Sequence, residues 1–286
     1  MRTSHLLPPV AVAGVLLLTA CGTRTADGPA AGRACSSPSP VTGAQEAKDG
    51  VRITALTDVR CGSLGVTYEV TNRAGAPMTY TVTIGLMSAS GGALDNVTQT
   101  ISRVPPGATV RRTAGPGSAV GEVTGAEIVK VRAVPSAEDA SQGGPCPSSG
   151  VRVYADQGDA AMGLRVVGLH LENCGTGVYR LDGYPLLQLL DEEHRQVDGV
   201  RVLHGGDQIA SGTGADGTPA PLALKPGERA VAVMTWRNTT GFGEAVNAPY
   251  VRVRAKAGVA PVTVIPELDL GTTGKLGVGP WKRDAA

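Results

Sequence analysis

The chain has 286 residues, with 26 Lys and Arg against 25 Asp and Glu, a formal net charge of +1. That balance argues against a nucleic-acid or polyanion partner, either of which recruits a basic surface. With 40 Gly, 20 Pro and 3% aromatic residues, the chain is turn-rich and has few rings on which bases or sugars would stack.

The first element is a short head, residues 1–5, with one positive charge at Arg2, followed by an apolar run over 6–20 that holds no polar residue between Val10 and Leu18. This is the grammar of a secretory signal. Interrupted by Pro8 and Pro9, the run falls short of the roughly 20 apolar residues that a spanning helix needs. It closes on Leu18, Thr19, Ala20 and Cys21, followed by Gly22. That stretch resembles a bacterial lipobox, where a lipid is joined to the cysteine thiol and the chain is cut just before it. The reading predicts a lipoprotein signal peptide over 1–20, lipidation at Cys21, and a chain held on the extracytoplasmic face of the cell membrane by acyl chains, each buried methylene contributing about 0.8 kcal/mol. The competing reading is a soluble secreted protein with an incidental Cys21.

Four cysteines remain: Cys35, Cys61, Cys146 and Cys174. Outside the cytoplasm they are expected as two disulfides. Three pairings are open, and the long interval between Cys61 and Cys146 favours Cys35 with Cys61 and Cys146 with Cys174. Each such loop closes roughly 26 to 28 residues, worth about 3 to 4 kcal/mol in the chain-entropy model. A four-cysteine metal site would need close CxxC pairs, which are absent.

Residues 21–50 are rich in Ala, Gly, Pro, Ser and Thr without apolar periodicity, and read as a flexible spacer. From Val51 the pattern turns to period two. Val51, Ile53 and Ala55 alternate with polar neighbours, as do Leu64, Val66, Tyr68 and Val70, then Tyr80, Val82, Ile84 and Leu86, and finally Val129, Val131 and Ala133. Successive side chains of a strand face opposite sides, so these are half-buried strands. Turns are expected at Ser90, Gly91 and Gly92 and at Pro105, Pro106 and Gly107. No stretch has convincing helical spacing. Short strands at this turn density predict an antiparallel, immunoglobulin-like sandwich over 51–135.

Residues 136–150 are polar and read as a linker. The second half, 151–286, then repeats the grammar of the first. LRVVGLHLEN at 164–173 parallels LGVTYEVTN at 64–72, the Pro-Gly turn at Pro226 and Gly227 parallels that at Pro106 and Gly107, and VRVRA at 251–255 parallels VKVRA at 129–133. The expected fold is therefore all-β: two tandem immunoglobulin-like antiparallel β-sandwich domains. The second carries an extra Gly-, Asp- and Thr-rich loop over 199–221, and deletion of residues 205–218 within it is expected to leave stability nearly unchanged.

Asn173, Cys174 and Gly175, the run from Tyr179 to Pro185 (YRLDGYP), LLQLLD at 186–191, LKPGE at 224–228, Trp236, and Gly279, Pro280 and Trp281 together resemble a domain of unknown function, family 4232, of actinobacterial lipoproteins. The resemblance covers roughly 146–281. It implies a β-sandwich, a surface lipoprotein and no established activity. Gly183, Tyr184 and Pro185 read as a corner whose tyrosine lies over the edge of the core.

Chemistry-bearing motifs are sparse. There is no GxSxG, HExxH or SxxK, and the Gly-Lys pair near the C-terminus has Leu276 where a phosphate loop needs Ser or Thr. A pair of catalytic carboxylates stays open. His170 sits inside a strand and is expected on its solvent side. His194 and His204, with Asp191 and Glu193, are the residues that would converge in a metal site or a hydrolytic centre around the 199–221 loop; the plainer alternative is a solvated acidic turn. The leading expectation is a non-enzymatic binding or interaction module without cofactor, metal or nucleic acid, presenting the 191–194 and 199–221 loops to a protein, peptide or cell-wall component. The alternative is an extracytoplasmic metal-binding protein or hydrolase.

Overall fold

A computed structural model describes residues 39–40, 48–58, 64–115, 117–118, 123–140 and 142–284. The signal segment, Cys21, Cys35 and Cys61 lie outside the described residues. Those described are all-β, in several mostly antiparallel sheets.

In the first half, one sheet runs Ser39–Pro40, Val51–Asp58, Leu64–Thr71, Thr109–Ala114. A second sheet runs Ala93–Val104, Met78–Met87, Gly125–Pro135. The alternation in the sequence sets which side chains meet between them. Val51, Ile53, Val66, Tyr68 and Val70 from the first share one core with Tyr80, Val82, Ile84 and Leu86 from the second. Each large apolar side chain withdrawn from water contributes about 1.5–3 kcal/mol. On the outer face, Glu69 stands between its register partners Arg52 and Arg111 and pairs with both, at 2.6 and 2.7 Å. Hydrogen bonds from Arg111 and Arg52 hold its carboxyl below the ordinary range.

Strict alternation breaks where the register shifts: after Ile53 it brings Leu56 rather than Ala55 onto the core, and a second shift falls in Gly125–Pro135. Val129, expected inward with Val131, is exposed, because the register shifts at this point: Thr83 pairs with Lys130 but Ile84 with Ile128. The extra residue turns Val129 outward and Ile128 onto the core.

In the second half, Leu164–Asn173 pairs with Arg229–Arg237 and with Val151–Ala155; Lys275–Val278 lies on the far side of Arg229–Arg237, and Arg201–His204 runs parallel to it. A three-stranded sheet of Leu186–Leu190, Tyr250–Arg254 and Val262–Val264 supplies further inner side chains. Leu169, Leu171, Met234, Trp236, Val251 and Leu268 meet in the core. The Trp236 indole donates to Asp269 at 2.8 Å, and Trp281 donates to the Ala255 carbonyl at 2.9 Å.

The likeness between halves extends to their hydrogen bonds. Thr71 pairs with Thr109 and Val70 with Val51; Glu172 pairs with Arg229 and Leu171 with Val153. A buried asparagine stands at the C-terminal end of each central strand, Asn72 just after Thr71 and Asn173 as the last strand residue. Asn72 Nδ2 donates to the Ala76 and Val104 carbonyls, both at 2.8 Å, and Oδ1 accepts from Ala74 N–H. Asn173 Nδ2 donates to the Gly177 and Leu224 carbonyls, again both at 2.8 Å, and Oδ1 accepts from Gly175 N–H. Each asparagine carbonyl also receives the N–H of the glycine in the Pro-Gly turn, Gly107 or Gly227.

Candidate functional site

The two halves meet at a junction assembled from the end of Gly125–Pro135 and the residues after it. Arg132 projects from that strand into two carboxylates of the second half, reaching Glu192 at 2.7 Å and Glu267 at 2.8 Å. Burial works to raise the Glu267 carboxyl, but Arg132 and Lys130 outweigh it and hold it below the usual range. The Ala133 N–H donates to Tyr250 Oη at 3.2 Å. Val134, Leu190 and Tyr250 form a small apolar cluster against which Ile265 packs. Residues 136–140, within the segment read as a linker, turn back onto the second half. Glu138 holds Arg252 through both carboxylate oxygens and accepts from Thr263 Oγ1 at 2.9 Å, while Asp139 bridges to Thr263 along the backbone.

Above this seam lies a cleft of about 360 Å³. Its first wall is the outer face of the Met78–Met87 and Ala93–Val104 strands, which presents Thr79, Thr81, Thr100 and Ser102; its second carries Tyr154 and Asp156, with Asp139 and Gln142 between them. Period-two alternation puts the threonines here, opposite the buried Tyr80 and Val82.

Asp156 is fixed by its surroundings. Oδ1 accepts the N–H groups of Gly158 and Gly168, each at 2.9 Å, and Oδ2 faces His170 Nε2 at 3.1 Å. A Cβ at position 168 would stand 2.4 Å from Oδ2, so this approach requires glycine. The other ring nitrogen, His170 Nδ1, faces Asp284 at 3.3 Å, and the imidazole lies parallel to the Tyr154 ring at 5.1 Å. His170 is thus on the outer face of its sheet, as expected, but half-buried between two carboxylates and a tyrosine rather than open to solvent. With both nitrogens facing carboxylates, it holds Asp156 and Tyr154 in place and is not itself among the cleft's lining residues. By contrast, the Asp139 carboxylate and the hydroxyls of Thr81, Thr100, Ser102 and Tyr154 have no hydrogen-bond partner among the described residues. The cleft can therefore offer both donors and acceptors.

The sites expected from sequence fall elsewhere. Cys146 and Cys174 form a disulfide, with Cα atoms 5.6 Å apart, closing a separation of 28 residues. His194 and His204 do not converge with Asp191 and Glu193, because each imidazole is claimed by its own tyrosine. His194, in the left-handed backbone region at φ 61°, stacks on Tyr250 at 4.3 Å; His204 stacks on Tyr184 at 4.1 Å. Burial holds the His194 imidazole below its ordinary range. Asp191 accepts from the N–H groups of Glu193 and Arg195 and pairs with the Arg195 side chain, closing its own turn. No group of three His, Cys, Asp or Glu able to hold a metal ion occurs among the described residues. The 199–221 loop is packed rather than presented: the Gly205 N–H donates to the Val278 carbonyl, Ala215 is buried, and Lys282 Nζ reaches the carbonyls of Gly214 and Asp216. Tyr184 lies against the core edge as the corner reading predicts.

The Cys146–Cys174 clasp, the Gly183 to Pro185 corner and the Pro-Gly turn at Gly227 all fall inside one stretch of the chain. Residues 146–282 match a family model described as Domain of unknown function (DUF4232). The matched DUF4232 region supplies Tyr154 and Asp156 to the cleft, with His170 in contact with both, while Thr79, Thr81, Thr100, Ser102 and Asp139 come from outside it. No curated protein matches the chain.

Proposed function

We propose that the protein is a lipid-anchored, extracytoplasmic binding module built from two related immunoglobulin-like sandwiches, with the cleft between its halves as the ligand site and no catalysis of its own. The observation that carries this reading is the set of unpaired hydroxyls and a carboxylate facing one cavity of about 360 Å³ whose walls come from both halves. Clefts at such junctions are favoured sites for small ligands, and 300–1,000 Å³ is their usual size. Supporting the non-catalytic part, the histidine nearest the cleft is committed through both nitrogens to Asp156 and Asp284. Supporting the location, Cys21 ends a lipobox-like stretch, and Cys146 and Cys174 are paired as extracytoplasmic cysteines are.

The test is photo-crosslinking in cells from a benzophenone amino acid placed at Ser102, on the exposed rim of the cleft, with the same probe at Arg103, exposed but not among the cleft's lining residues, as a control. Capture of a discrete envelope component from position 102 and not from 103 is the expected result. Equal, diffuse labelling from both positions overturns the assignment of the cleft. Intact-mass measurement of residue 21 in the membrane fraction tests the anchor separately: a diacylglyceryl-modified Cys21 is expected, and an unmodified thiol refutes it.

A further inference from the structure

Resting on the reading of the cleft as a binding site, we infer that its ligand is a short run of an uncharged, polyhydroxylated glycan. The lining chemistry selects this class. Two carboxylates, Asp139 and Asp156, stand in the cleft with no Lys or Arg among its lining residues. Phosphates, uronic acids and other anions would be repelled there. A sugar hydroxyl donates and accepts at once, so it satisfies an acceptor-only carboxylate with its hydrogen and a Thr, Ser or Tyr hydroxyl with its oxygen. Asp139 supplies the first kind of partner; Thr81, Thr100, Ser102 and Tyr154 supply the second. A pyranose also has apolar C–H faces. The Tyr154 ring, held parallel to His170, and the partly exposed Ile265 side chain give the cleft surfaces to meet them.

The groups are also preorganised. Asp156 is fixed by two backbone N–H groups and His170, and the backbone carrying Asp139 is fixed by its bridge to Thr263, which limits the ordering that accompanies binding. One ring in the lining, rather than several, makes the recognition led by hydrogen bonds. Weak affinities, in about the millimolar to high-micromolar range, follow.

The experiment uses the full chain in a zwitterionic detergent without a sugar headgroup, and saturation-transfer NMR with four probes: maltotriose, cellotriose, N-acetylated chitotriose and, for contrast, trilysine. Transfer to the ring protons of at least one neutral trisaccharide is expected. That transfer should be lost in Ser102→Trp, which plugs the rim from an exposed position, weakened at least fivefold in Asp139→Asn, and kept in Thr83→Val, which lies on the same sheet face beyond the cleft. Transfer to trilysine alone, transfer to no probe, or neutral-sugar transfer that survives Ser102→Trp would each overturn the glycan assignment. If the glycans are silent while position 102 still crosslinks a discrete component, the cleft remains a binding site for another class of ligand; if both fail, the binding reading falls with it.

Discussion

Replacing Asn173 by Ala removes three hydrogen bonds in one step: two donated to the Gly177 and Leu224 carbonyls and one accepted from the Gly175 N–H. The asparagine is 2% exposed and Leu224 is fully buried, so water does not readily replace the lost partners. At about 0.5–1.5 kcal/mol for each bond, the change is expected to destabilise the second half by about 2–4 kcal/mol. Asn173→Asp is expected to cost more, since an oxygen then faces two carbonyl oxygens. The two tryptophans, Trp236 and Trp281, both lie in the second half, so their fluorescence during urea unfolding reports it without interference from the first. Asn72→Ala, which breaks the matching set, should produce a similar loss visible in backbone circular dichroism. A loss under about 1 kcal/mol at either asparagine, with an unchanged urea slope, would refute the claim that these side chains staple the turns of both halves.

Three further outcomes follow from the junction and its neighbours. Arg132→Met leaves Glu192 unpaired and Glu267 with Lys130 alone, but these carboxylates are 59% and 35% exposed and regain water; the expected cost is about 1–3 kcal/mol, below the 3–5 of a fully buried pair, with increased proteolytic cutting between residues 136 and 145 as the readout. Because burial holds the folded-state pKa of His194 below its unfolded value near 6.5, the unfolded chain takes up the proton first as pH falls. Stability should therefore be independent of this group above about pH 7 and decline from about pH 6.5 downward; thermal melts of His194→Gln should lose that part of the decline, and identical pH profiles for the two proteins would contradict it. Deleting residues 205–218 removes the buried Ala215 and the carbonyls that receive Lys282, so Tm should fall by roughly 5–10 °C rather than stay constant, as differential scanning calorimetry would show.

Most of the core was readable from period-two alternation, because a strand with one buried face records that face in every second residue. Tyr80, Val82, Ile84 and Leu86 are all buried as the pattern implies. The pairing of Cys146 with Cys174 was readable from spacing, since a short loop between strands brings such residues together. Val129 was misplaced because a bulge inserts one residue without any mark in the apolar pattern. The metal constellation failed for a different reason: stacking on Tyr250 and Tyr184 separates His194 from His204, and ring stacking leaves no spacing signature. The cleft was missed altogether. Thr79, Thr81, Thr100 and Ser102 looked like solvent positions, and nothing local to them announces that Tyr154 and Asp156 will stand opposite. The available signal was chemical: the outward positions of two neighbouring strands are nearly all hydroxyls, where solvated strands usually mix in charge.

The arginine that spans the junction bears on how the molecule can be taken apart. Its guanidinium is satisfied almost entirely by acids that belong to the other half, and the Val134, Leu190 and Tyr250 cluster is shared in the same way. A gene cut at the boundary the sequence suggests, after Pro135, would yield two fragments, one with a stranded cation and the other with bare carboxylates and an uncovered aromatic ring. Either piece, expressed alone, would be a poorer and stickier object than its own sheets require, and a comparison of isolated halves would understate what the intact protein can hold.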